Sequence, residues 1–131
     1  MILIFGGAYQ GKLDYALERY GLDGGDVFRC GEDSVDMAID KKIIYGLEKW
    51  ILALVKRGAD TDNAISRFIE ENESAIVICD DISCGVVPAD PVLRKWREAT
   101  GRALAKVAGA SNEVVRVYYG IPSRIDSGGA S

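Results

Sequence analysis

Histidine is missing from all 131 positions of the chain. Imidazole is a frequent general base near neutral pH, a common metal ligand and a possible covalent nucleophile. The sequence therefore excludes every mechanism in which a histidine of this chain takes one of these roles. Cysteine is scarce as well, because the chain has only Cys30, Cys79 and Cys84 and no Cys-x-x-Cys pair. We expect reduced thiols in a cytoplasmic protein, and neither a disulfide framework nor a zinc site.

Long apolar runs and an excess of positive charge are also absent. No apolar run reaches the length of a membrane span, and no basic residue precedes the first run, Ile2–Phe5. We therefore expect neither a membrane span nor a signal peptide. The formal net charge is −4, whereas proteins that bind nucleic acids or anionic membranes present basic surfaces. The sequence predicts no nucleic-acid partner.

What the chain does contain is a glycine-rich segment directly after its first apolar run. Residues 6–12, hereafter the glycine loop, read Gly6-Gly7-Ala8-Tyr9-Gln10-Gly11-Lys12 and have the spacing Gly-x-x-x-x-Gly-Lys. A loop with this spacing, set between a strand and a helix, directs backbone N–H groups and a lysine at a phosphate. The spacing predicts a phosphate site, and the alternative is a tight turn with no ligand.

The residue after the lysine departs from this pattern. Leu13 stands where a serine or threonine hydroxyl normally reaches Mg²⁺. The loop is therefore expected to bind phosphate while holding the metal poorly. The residues predicted to surround the phosphate are Gly6, Gly7, Ala8, Tyr9, Gln10, Gly11, Lys12 and Leu13.

Short apolar runs alternate with helical patterns along the chain, which is typical of an α/β fold with a mostly parallel sheet. The pattern predicts five strands, at Ile2–Phe5, Asp26–Cys30, Lys42–Tyr45, Ala75–Cys79 and Glu113–Tyr119. With the glycine loop after the first strand, the expected architecture resembles a P-loop NTPase-like three-layer sandwich. We expect one nucleotide-binding domain over residues 1–122 and a flexible tail over residues 123–131.

Two adjacent carboxylates, Asp80 and Asp81, follow the most strongly apolar strand. The carboxyl ends of parallel strands meet at one edge of a sheet, so these residues are expected near the glycine loop. Such a pair can hold Mg²⁺ through water or orient a hydroxyl nucleophile. The alternative is that one caps the next turn and the other is solvated. Since neighbours in an extended segment point to opposite faces, at most one is expected to face the phosphate.

Further motifs in the second half of the chain indicate a family. They are Asp80–Pro88 (DDISCGVVP), Trp96-Arg97-Glu98 leading to Gly101-Arg102, and Tyr119-Gly120-Ile121-Pro122. With the glycine loop and Leu47–Leu52, they resemble the bifunctional adenosylcobinamide kinase / adenosylcobinamide-phosphate guanylyltransferase family of cobalamin biosynthesis. The motifs keep the order of that family and span most of the chain.

The resemblance implies a kinase that phosphorylates the aminopropanol hydroxyl of cobinamide with ATP or GTP. It also implies a second reaction, in which GMP is transferred from GTP through a covalent histidine, and a homo-oligomer with a five-stranded P-loop core. Lys12 and the rest of the glycine loop would hold the nucleotide phosphates. Asp80 and Asp81 fall on an Asn-Glu pair of the family, so the glutamate's role would pass to Asp81.

The chain departs from the family at the residues that bind the metal ion and at the residue that carries out guanylyl transfer. Leu13 occupies the position of the family serine, and Tyr45 occupies that of the family aspartate at the end of the third strand. No histidine is present. GMP transfer by the family mechanism is therefore excluded unless another nucleophile replaces the histidine. We expect a kinase that uses Lys12, Asp80 and Asp81. The alternatives are a nucleotide- or corrinoid-binding protein without turnover, and a scaffold with an empty loop.

Overall fold

The computed structural model describes residues 1–7, 11–31, 41–82 and 89–125. The strands in these ranges are β1 Ile2–Gly6, β2 Val27–Arg29, β3 Ile43–Tyr45, β4 Ile76–Asp80, β5 Glu113–Tyr118 and β6 Ile121–Ile125. The helices are α1 Lys12–Tyr20, α2 Leu47–Lys56, α3 Thr61–Glu71 and α4 Pro91–Ala110, and a short 3₁₀ turn precedes β2.

The strands form one sheet in the order β2-β3-β4-β1-β5-β6. All neighbouring pairs among the first five strands are parallel, and only β6 runs antiparallel, against β5. The α/β class and the mostly parallel sheet predicted from the sequence are confirmed. The predicted number of five strands is wrong, because the described part of the sheet has six.

The sequence did not predict the sixth strand, because its residues show no alternation of apolar and polar side chains. All five residues of β6 are exposed, so neither an apolar run nor a regular alternation marks it. Tyr119 and Gly120 both have positive φ, at 50° and 74°, which is the backbone of a two-residue hairpin turn. This turn leads β6 back along β5 through Ile125, whereas the sequence predicted a loose segment from Ser123 onward.

Helices cover both faces of the sheet and make three layers. Successive strand residues face opposite layers, as the strand period of two requires. Leu3, Val77 and Val114 pack with α2, α3 and α4. Their neighbours Ile4, Ile78 and Val115 pack with α1. The parallel strands are therefore buried from both sides, which explains why β4 reads as a continuous apolar run.

Local residues define the ends of two helices. The cap of α3 is Asp60, whose carboxylate accepts the N–H of Asn63 at 3.1 Å. Helix α4 continues through Gly109 to Ala110, because a glycine inside a helix weakens it without ending it. Within the described ranges, no helix combines the length and the apolar character that a membrane crossing requires.

The layer of α2, α3 and α4 depends on a buried aromatic pair. Phe68 is 2% exposed, and its ring lies 5.6 Å from that of Trp50. We predict that Phe68→Ala lowers the free energy of unfolding by about 3–5 kcal/mol, because it removes apolar contacts and leaves a cavity. Denaturant titration measures this change. The control Val92→Ala, at an exposed position, is expected to stay within about 0.5 kcal/mol; equal losses would contradict the prediction.

Candidate functional site

The glycine loop and the two aspartates meet at the carboxyl edge of the sheet. Strand β1 ends at Gly6 and β4 ends at Asp80, and these two residues are partners in the parallel register. One residue further, the N–H of Asp81 donates to the Gly6 carbonyl at 2.8 Å. The sequence predicted only that both segments lie at the same edge of the sheet, because each follows a parallel strand. The structure makes the two strands neighbours and sets the candidate site above them.

Glycine is required at both ends of the loop. Gly6 has φ 152°, and a Cβ there would collide with the carbonyl oxygen of Val117 on β5. Gly11 has φ 84° at the start of α1, and a Cβ there would approach the Cα of Gly120 to 3.3 Å. The spacing Gly-x-x-x-x-Gly therefore lets the chain leave β1 close against β5 and enter α1 beside the β5–β6 turn.

Lys12 is the first residue of α1 and is only 4% exposed. Its ammonium donates to the Gly7 carbonyl at 2.5 Å and forms an ion pair with the Asp80 carboxylate, Nζ to Oδ1 2.6 Å. A buried charge persists only when it is paired and hydrogen-bonded. Of the residues predicted to be catalytic, the structure thus brings Lys12 and Asp80 into direct contact.

The neighbouring Asp81 lies in a different setting. Its backbone N–H is bonded to Gly6, while the carboxylate that meets Lys12 belongs to Asp80. The assignment of the family glutamate's role to Asp81 stays a prediction from the resemblance.

Leu13 does not replace the missing hydroxyl. Its side chain is partly buried in the apolar cluster between α1 and the sheet, so only its backbone can serve a phosphate. Ala8, Tyr9 and Gln10 lie outside the described residues, as does the segment 83–88 of the Asp80–Pro88 motif. In the described part of the chain, no group of three acidic or cysteine side chains is arranged to hold a metal ion.

A buried carboxylate that the sequence analysis missed stands beside the site. Glu48, in the first turn of α2, is 4% exposed, and its Oε1 accepts the backbone N–H of Asp80 at 2.9 Å. Burial is the main cause that raises the pKa of Glu48, and the nearby charge of Asp80 adds to it. The available signal was Glu48 as the sole acidic residue of a helix in which most other residues are apolar.

An open cavity of about 430 Å³ adjoins the glycine loop on the side of β5. One wall consists of residues of α1, namely Asp14, Tyr15, Glu18 and Arg19, and the other of Gly120 and Pro122 of the β5–β6 hairpin, with Gly11 between them. A ligand held at the start of α1 therefore has room to extend toward the hairpin.

Comparison with known families decides the lineage. The family model of cobinamide kinase / cobinamide phosphate guanyltransferase matches residues 33–125, which is more than half of the chain. The chain belongs to this family. Membership places it among the nucleotide-using transferases of cobalamin biosynthesis, and the matched range includes Glu48, Asp80 and Asp81. No curated protein sequence matches the chain significantly.

The glycine loop precedes the range matched by the cobinamide kinase family model. Its assignment as a phosphate site therefore depends on its own residues: the positive φ of Gly6 and Gly11, and the buried ammonium of Lys12. These features are local and can be tested by substitution.

We predict that Gly6→Ala destabilises the fold by about 1–3 kcal/mol or more, because the new methyl group meets a backbone oxygen at a strained φ. The matched control is Gly101→Ala in α4, where nothing lies within 4 Å of the new Cβ. That change is expected to be neutral or to stabilise by up to about 1 kcal/mol. Chemical denaturation measures both variants, and a Gly6→Ala protein as stable as the parent would contradict the close approach.

A second prediction concerns pH. The pKa of Glu48 is raised in the folded state, so the folded protein binds more protons than the unfolded chain once pH exceeds the unfolded pKa of about 4.3. The stability contributed by Glu48 is therefore present below that pH and is lost as pH rises through the folded pKa. Glu48→Gln cannot ionise and escapes this loss.

We expect the stability of Glu48→Gln, relative to the parent protein, to increase between pH 4 and pH 7. Denaturant midpoints at the two pH values measure it. Glu71→Gln, at an exposed position of α3, is the control for losing one carboxylate. A relative stability of Glu48→Gln that is flat or falls with pH would show that burial does not raise this pKa.

Proposed function

We propose that the chain is a nucleotide-dependent kinase that phosphorylates the aminopropanol hydroxyl of cobinamide, with ATP or GTP as the phosphoryl donor. One observation carries the proposal: a buried ammonium group, that of Lys12, stands at the start of α1 against the Asp80 carboxylate. Membership of the cobinamide kinase family supports the choice of substrate.

Phosphate binding would use groups that are already in place. The N-terminus of α1 offers free N–H donors and the positive end of a helix dipole. A phosphate oxygen would take over part of the role that the Asp80 carboxylate now has for the Lys12 ammonium. The nucleoside would extend into the cavity between α1 and the β5–β6 hairpin, where Tyr15 and Arg19 are exposed to it.

Phosphoryl transfer depends mainly on positioning and on neutralising the charge that spreads over the transferring group. Lys12 would supply that neutralisation. Once released from Lys12, the Asp80 carboxylate would be a suitable oxygen ligand for Mg²⁺ or a proton acceptor for the attacking hydroxyl. Mg²⁺, when bound there, would add positive charge next to the phosphates. Leu13 offers no oxygen, so one of the two aspartates, through water, would have to hold the metal without the usual hydroxyl.

Guanylyl transfer through a histidine is not part of this proposal, because the chain contains no histidine. A second candidate function is binding of a nucleotide or corrinoid without turnover. The observation that favours it is the packing of Leu13 into the apolar cluster, which removes a metal ligand of the usual phosphate loop. An assay that measures binding and product separately discriminates between the two.

The proposal extends to the setting of the enzyme. We infer a cytoplasmic homo-oligomer built from one nucleotide-binding domain. Buried thiols at Cys30 and Cys79 suit a reducing compartment. Burial raises the pKa of Cys30 to about 12, and desolvation raises that of Cys79 as well, so neither thiol is a ready nucleophile.

The test combines cobinamide, Mg²⁺ and ATP or GTP with the purified chain, and follows phosphorylated cobinamide by mass spectrometry. We predict product formation, and a loss of about 10²- to 10³-fold in rate for Lys12→Met, because a charge that stabilises the transition state is gone. The matched control is Lys95→Met, which removes an exposed lysine of α4 and is expected to leave the rate unchanged.

Calorimetry with GTP and ATP completes the experiment. Nucleotide binding without any product would favour the second candidate function. No nucleotide binding at millimolar concentration would contradict both candidates. Full activity of Lys12→Met would show that the phosphate site lies elsewhere.

A further inference from the structure

The end of β4 lacks the strand partner that its last N–H group requires. The N–H of Ile76 donates to the Lys42 carbonyl beside β3 at 2.9 Å. In a parallel ladder this hydrogen bond repeats every two residues along both strands. Four residues further on, the N–H of Asp80 would therefore donate to the carbonyl of Gly46. That carbonyl is instead turned into helix α2, where it accepts the N–H of Lys49 at 2.9 Å.

Gly46 causes this early departure from the sheet. It has φ 85° and forms the N-terminal end of α2, so the chain leaves β3 one residue after Tyr45. An unpaired N–H at the buried end of a central strand would cost free energy comparable to a lost hydrogen bond. The Oε1 atom of Glu48 fills the vacant acceptor position, 2.9 Å from the Asp80 nitrogen.

Glu48 is itself held on its other side. Its backbone carbonyl accepts the indole N–H of Trp96 in α4 at 2.7 Å. A continuous series of polar contacts therefore runs from Trp96 through Glu48 and Asp80 to Lys12, and ends at the Gly7 carbonyl. The series connects the helical layer behind the sheet with the glycine loop above it.

We propose that Glu48 is a positioning residue of the phosphate site: by accepting the Asp80 N–H, its side chain fixes the end of β4 and so holds the Asp80 carboxylate against Lys12. The expected effect of Glu48 on nucleotide binding rests on the proposed function. The hydrogen bond itself can be tested without any nucleotide. Glu48 would act through Asp80 and would not touch the substrate.

The first test compares two substitutions of Glu48 by calorimetric titration with GTP and ATP. Glu48→Gln keeps a side-chain oxygen that can accept the Asp80 N–H, whereas Glu48→Leu has a similar size and no acceptor. We expect Glu48→Gln to bind within about threefold of the parent protein, and Glu48→Leu to bind roughly tenfold or more weakly.

Ile51→Val is the matched control, because Ile51 is a fully buried residue of the same helix and belongs to the apolar core cluster. If the Glu48 variants weakened nucleotide binding only because they lower the stability of the fold, then Ile51→Val, which also lowers it, would weaken binding too. The proposal requires that Ile51→Val bind like the parent protein. Binding by Glu48→Leu that equals the parent, or binding by Glu48→Gln as weak as that of Glu48→Leu, would overturn it.

The second test measures backbone amide exchange by NMR, and it remains decisive if Glu48→Leu does not fold. In the parent protein and in Glu48→Gln, the Asp80 amide is expected to be protected to the same order as the Ile78 amide inside β4. An Asp80 amide that exchanges as fast as those of exposed turns would overturn the proposal. If the parent binds no nucleotide but protects Asp80, the proposed function fails while the role of Glu48 in fixing Asp80 stands.

Discussion

Burial of the Lys12 ammonium is the constraint on which the carboxyl edge of the sheet depends. The group is almost fully removed from water at the first turn of α1, so it must find compensating oxygens within the protein. The Asp80 carboxylate and the Gly7 carbonyl supply them. Because Asp80 ends β4 and Gly7 follows β1, this one cation joins the two central strands to α1 at the place where a phosphate would meet the helix N-terminus.

Two neighbouring residues, Gly6 and Glu48, are needed for the segments that carry the Lys12–Asp80 pair to come together. Gly6 must pass under Val117 for the loop to reach α1. Glu48 must supply an acceptor where β3 has already turned away. Gly6 has an uncommon backbone conformation and Glu48 is a buried polar side chain. Each would lower the stability of the fold unless neighbouring contacts compensate for it. Under the proposed function, a nucleotide phosphate would take the place of the Asp80 carboxylate next to Lys12, one anion being exchanged for another.

The sequence predicted those parts of the structure that arise from pattern and spacing. The alternation of short apolar runs with helical patterns indicated an α/β fold with a mostly parallel sheet, and the position of Gly6 and Asp80 after two strands predicted their proximity. Strand β6 could not be found, because its exposed residues carry no periodic signal. The role of Glu48 could not be deduced, because a single acidic residue at the start of a helix does not reveal that it replaces the Gly46 carbonyl, and hydrogen bonds between distant segments leave no local pattern.

The central claim is that Lys12 changes its partner when a nucleotide binds, and a crystal structure of the protein grown with GTP tests it most directly. The account predicts the triphosphate at the N-terminus of α1, with the Lys12 ammonium in contact with a phosphate oxygen and the backbone N–H groups of the glycine loop around it. A triphosphate bound elsewhere, or a Lys12 ammonium that keeps only Asp80 and Gly7 as partners while GTP occupies the protein, would contradict the account.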